Sequence, residues 1–186
     1  MRHARLSWIA LIVASVLFVS CEKDKGETNQ EEVITTMVLR FTPQGGGAVS
    51  VFEFVDPDGP GGGAPSIDEI QLAANTQYNV RIELLNNTVN PPENITEEVE
   101  AESDAHRFYI LPSGSSGITV SNLNADDNGV SLGTSSTWTT GTAATGTVRV
   151  VLRHYPADPP NKLETDPVDS PKSGTDIEVT FDTAVN

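Results

Sequence analysis

In successive runs between residues 37 and 181 the apolar side chains recur at every second position, and no run keeps a helical stripe for more than two turns. Met37, Leu39 and Phe41 alternate with Val38 and Arg40; Tyr78, Val80, Ile82 and Leu84 with Asn79, Arg81 and Glu83; Ile177, Val179 and Phe181 with Asp176, Glu178, Thr180 and Asp182. Successive side chains of a strand point to opposite faces, so this period describes sheets with one buried and one wet face. Gly, Asn, Asp and Pro clusters, Gly45-Gly46-Gly47 among them, separate the runs and are the chemistry of hairpin turns. Such a pattern is at odds with helical bundles and with the strand-helix alternation of α/β folds. It predicts an all-β fold, a single immunoglobulin-like antiparallel β-sandwich of seven to nine strands.

One short helix is expected near 94–103. Pro91 and Pro92 precede it, Asn94 can cap it, Glu97 follows three places on, and Ile95 and Val99 lie four apart. The alternation of Ile95, Glu97, Val99 and Ala101 suits a strand equally, so both readings stand open. Leu72, Ala74, Asn75, Thr76 and Tyr78 resemble the tyrosine-corner pattern of fibronectin type III domains, with Ala74 and Asn75 in its Pro and Gly places. That resemblance implies a structural corner in which the Tyr78 hydroxyl reaches back past Leu72 and pins the entry to a strand.

Ahead of the β pattern, an apolar run over residues 6–20 follows Arg2 and Arg5. A basic start, an apolar middle and small residues before the break describe a secretory signal peptide, and the run is too short to span a bilayer. The segment Leu17-Phe18-Val19-Ser20-Cys21 resembles a bacterial lipobox, with Phe18 where an aliphatic residue is usual. The resemblance implies acylation of Cys21, the only cysteine, and a membrane partnership through a lipid anchor. Lipidation also accounts for a single thiol in an oxidising compartment, where an unpaired cysteine is a liability. The domain reading is therefore signal peptide 1–20, acylated terminus and acidic tether 21–32, and β-sandwich 33–186. Residues 22–32 contain no apolar side chain and cannot bury anything.

The net charge of −15 becomes −17 once residues 1–20, with Arg2 and Arg5 and no acid, are removed. A field of that sign repels phosphate backbones, so nucleic acid is excluded as a partner, and cations or basic protein patches are favoured. About 150 residues after the tether is the size of one domain with a proper core.

Chemistry concentrates in Glu97, Glu98, Glu100, Glu102, Asp104 and His106, with His154 near the end of a later run. Imidazole with carboxylate is a ligand set for zinc or copper, so the candidate divalent-metal residues are His106, His154, Asp104 and Glu102, provided that their two strands are neighbours. A solvated acidic face with two surface histidines fits the same residues. Asn124, Asp126, Asn128 and Gly129 copy the first half of an EF-hand loop, but Ser135 stands where its bidentate glutamate belongs; a turn is expected instead. Trp138 and Tyr155 read as core aromatics. No serine sits in a nucleophile elbow and no glycine loop opens a helix onto a phosphate, so the expectation is a protein without catalysis.

Most of the domain is similar to small Bacteroidota (flavobacterial) envelope lipoproteins of the kind that carry the name type 1 periplasmic binding fold superfamily protein. The likeness lies in residues 95–109 (ITEEVEAESDAHRFY), 150–156 (VVLRHYP) and 174–181 (GTDIEVTF). The two-lobed α/β fold in that name needs alternating helices and about twice this length, so it is not expected here. The resemblance implies an outer-membrane lipoprotein, facing periplasm or cell surface, beside an outer-membrane transporter, with His106 and His154 in matching segments. A non-catalytic binding module accessory to uptake is the first functional expectation. A structural or adhesive module without a small ligand is the second, and a zinc- or copper-binding lipoprotein the third.

Overall fold

The computed structural model describes residues 32–59 and 61–186; the signal peptide, Cys21 and the tether up to residue 31 lie outside them. The strands are β1 (Thr36–Pro43), β2 (Ser50–Val55), β3 (Ser66–Ile67), β4 (Ile70–Leu72), β5 (Gln77–Asn86), β6 (Glu93–Asn94), β7 (His106–Pro112), β8 (Ile118–Ser121), β9 (Ser135–Thr140), β10 (Ala144–His154) and β11 (Gly174–Val185), with one helix, α1 (Ile95–Ala101). They form an all-β sandwich. One sheet runs β3-β2-β1-β5-β9-β8 with β6 beside β5, and the other runs β4-β11-β10-β7. β4 lies parallel to β11, whereas the long pairings, β1 with β5 and β10 with β11 and β7, are antiparallel.

In chain order β1, β5, β7, β8, β9, β10 and β11 occupy the places of strands A to G of an immunoglobulin sandwich. The orders β1-β5-β9-β8 and β7-β10-β11 match A-B-E-D and C-F-G. Among the described residues eleven strands stand where seven to nine were expected, because β3, β6 and β4 are only two or three residues long and too short to display a period.

The expected alternation is what fills the space between the sheets. Met37, Leu39, Ile82 and Leu84 from one sheet meet Val148, Val150, Leu152 and Phe181 from the other, all completely shielded from solvent. Removing such side chains from water is the main stabilising term in a fold of this size. Trp138 and Tyr155 are fully buried. Phe41 packs edge-on against Trp138 at 5.1 Å and against Tyr78 at 5.9 Å. Such T-shaped pairs add electrostatic attraction between ring edge and ring face.

Local chemistry explains the departures. Tyr78 Oη accepts a hydrogen bond of 3.0 Å from the Ala73 amide, and Leu72 is buried in β4. The corner is thus built at the entry to β5, the second strand of the immunoglobulin order, rather than at the E–F corner. The helix forms at 95–101 because Ile95, Thr96 and Val99 share one buried face. Asn94 does not cap it; its side chain donates to Glu97 Oε1 instead. Residues 130–134 open a run, 130–138, that the sequence reads as one strand, but they wrap around two side chains instead. Asp126 Oδ1 accepts from the Asn128 and Val130 amides, and Asn124 Oδ1 from those of Gly133 and Ser135. The other Asp126 oxygen pairs with Lys162 at 2.9 Å, which commits both oxygens and leaves a turn rather than a calcium loop.

Candidate metal centre

His106 opens β7, His154 closes β10, and the two stand directly opposite in the antiparallel register. The period of two that buries Phe108 against Leu152 keeps the next pair outward, 106 with 154, on the same inner face. Their rings stack with centroids 4.6 Å apart. Glu102 sits just past the end of α1, and the turn over residues 102–105 folds it back toward the strand. The result is a cluster in which Glu102, His106 and His154 each offer a ligand atom, all within 4.8 Å of one another. Asp104, a candidate ligand that spacing places on one side of an extended segment with His106, lies instead in that turn. It is exposed and lines a cleft together with Glu102 and His154.

His106 is completely buried. Its Nδ1 lies 3.1 Å from the Glu102 carbonyl oxygen, which can only accept, so Nδ1 carries the proton and Nε2 presents a lone pair. That Nε2 has no hydrogen-bond partner among the described residues. Burial above all, and then the His154 ring, pull the His106 pKa down to about 4, against the opposing pull of its bond to Glu102. Burial lowers His154 as well. Both imidazoles are consequently neutral at physiological pH, the form that binds metals.

Two further carboxylates face the same nitrogen. Glu32 Oε1 and Asp176 Oδ2 each lie 3.9 Å from His106 Nε2, with side chains 15% and 1% exposed. Neither was legible as part of a site. Glu32 closes the acidic segment that composition alone assigns to a tether, yet it belongs to the folded unit. Burial first, and then the charges of Glu98, Asp176, Glu102 and Glu93, raise its pKa to about 8. Asp176 falls in the alternation on the wet face with Glu178. A β-bulge overrides that: β10 pairs Leu152 with Ile177 and then Arg153 with Thr175, so Asp176 is the extra residue. An extra residue in one strand re-aims a side chain, here toward the histidine pair.

The cleft outside this cluster has a volume of about 340 Å³, and residues 154–158 and Pro160 form its far wall. The long connection from β10 to β11 is held down beyond it. Lys162 Nζ donates to the carbonyls of Ser103 and His106, and Arg107 donates to those of Leu163 and Glu164. Tyr109 Oη lies 2.8 Å from Tyr155 Oη and donates to the Asp166 carbonyl. Two imidazoles with carboxylates suit a four- or five-coordinate first-row ion such as zinc or copper; calcium prefers oxygen alone. No family model, curated protein or solved structure matches this chain.

Proposed function

We propose that this protein is a non-catalytic, lipid-anchored envelope module that binds a divalent zinc or copper ion between His106, His154 and Glu102, in the service of an uptake system. Two observations carry the metal reading: Glu102, His106 and His154 each bring a ligand atom within 4.8 Å of the others, and the fully buried His106 has an Nε2 with no hydrogen-bond partner among the described residues. A buried polar atom without a partner is costly, and a metal ion satisfies such an atom directly. The cleft beside Glu102 and His154 gives the ion a route in from solvent. The lipobox-like segment ending at Cys21 and the acidic segment after it support the anchor and the spacing from a bilayer. A structural or adhesive role asks for a continuous exposed apolar patch. The exposed Val51 and Ile67 of the β2–β3 edge are carried on opposite faces of their sheet.

The test is thermal unfolding of chelator-stripped protein with and without added metal. An ion at about a hundred times its Kd stabilises the folded state by about 2.7 kcal/mol. In a domain of this size that raises Tm by about 5–10 °C. His106→Ala combined with His154→Ala is expected to abolish the rise. A Tm indifferent to zinc, copper and calcium alike would overturn the reading.

A further inference from the structure

The lone pair on His106 Nε2 faces carboxyl oxygens of Glu32 and Asp176 at 3.9 Å, beyond hydrogen-bond reach. Nδ1 is occupied by the Glu102 carbonyl, Nε2 is buried without a hydrogen-bond partner among the described residues, and Glu32 Oε1 stands 3.9 Å from it. Glu32 Oε2 is likewise buried and without a hydrogen-bond partner among the described residues. At that distance neither group hydrogen-bonds the other, and a cation between them would answer both lone pairs, displacing the proton that burial otherwise holds on Glu32. A nitrogen and an oxygen bound to one tetrahedral zinc ion stand about 3.4 Å apart, so closing the observed gap asks for about half an ångström of side-chain movement.

Glu32 also has a particular position in the chain. Three residues later the backbone joins the first sheet, where the Thr35 amide donates to Leu85 and Thr35 Oγ1 accepts from the Asn87 amide. His106 and His154 belong to the second sheet. We propose that Glu32 is a ligand of the same ion, so that metal binding fastens the segment leading into β1 onto the end of the second sheet. The inference rests on the metal reading above and adds to it a consequence for the chain: the ion joins the entry segment to the sandwich. Asp176, at the same distance from Nε2, flanks the position.

The probe is zinc alone, added to the chelator-stripped protein, with two measurements. Competition against a chromophoric chelator gives the zinc affinity of the unaltered protein, of Glu32→Gln, which keeps shape but lacks the carboxylate, and of His106→Ala. Hydrogen exchange reads the amides of Val33 and Ile34 in the unaltered protein and therefore depends on no variant's folding. Glu32→Gln is expected to bind zinc at least about tenfold more weakly. Zinc is expected to slow exchange at residues 33 and 34 in the unaltered protein. If Glu32→Gln binds as tightly as the unaltered protein while His106→Ala does not, Glu32 is no ligand and the proposal fails while the metal reading stands. Tight zinc binding that leaves residues 33 and 34 exchanging as before overturns the fastening. If the unaltered protein binds no zinc, both readings fall together.

Discussion

At the scale of single residues, one buried ion pair has both of its charges answered several times over. Lys162 and Asp126 are each 1% exposed at the side chain, and their ion pair of 2.9 Å is completed by carbonyls around Nζ and amides around Oδ1. Replacing Lys162 with Met leaves the Asp126 carboxylate buried without its cation. A loss of about 3–5 kcal/mol is expected, read as a lower denaturation midpoint in urea. Pairing it with Asp126→Asn should recover part of that loss, since the uncompensated charge is then gone. His106 was legible as a residue type with metal chemistry, and its pairing with His154 depends on strand order, which residue spacing alone does not contain. Glu32 was illegible because a polar run has no period from which burial could be read.

Elements show how local geometry corrects a pattern that is otherwise faithful. Alternation located the long strands because each has one face in the core, as in β5, where Tyr78, Val80, Ile82 and Leu84 are buried in turn. It missed β3, β4 and β6, whose two or three residues carry no period. It also misplaced residues 130–134, where Asn124 and Asp126 bind backbone amides that would otherwise enter the ladder. The corner at Tyr78 was legible from seven residues because the hydroxyl answers an amide only five positions earlier. Tyr78→Phe removes that acceptor and leaves the Ala73 amide unpaired. A loss of about 1 kcal/mol is expected, a few degrees in Tm, with core packing otherwise unchanged.

For the whole molecule, acidity sets the pH range of stability. Asp126 and Asp166 have pKa values below the ordinary 3.8. Burial opposes the shift in each, but the Lys162 and Lys172 ammonium groups and neighbouring amides outweigh it. A carboxylate whose folded pKa is depressed contributes stability above its unfolded value and loses it as pH falls through the folded one. Tm is therefore expected to drop on acidification below about pH 4, and less steeply in Asp166→Asn than in the unaltered protein. The sandwich itself was predictable because the long strands turn at least one face to the core, even where β7, β9 and β10 bury consecutive residues.

The bulge in β11 makes the candidate centre a matter of counting as much as of chemistry. Asp176 turns toward the histidines only because one surplus residue stands opposite the Leu152-Arg153 step. Were Thr175 deleted, Asp176 would pair with Arg153 and point outward, and the pocket would lose a carboxylate although the strand beyond Ile177 kept its register. Strand length, varied by a single residue, could thus tune the charge around an ion in a sandwich of this kind while every ligand type stays the same.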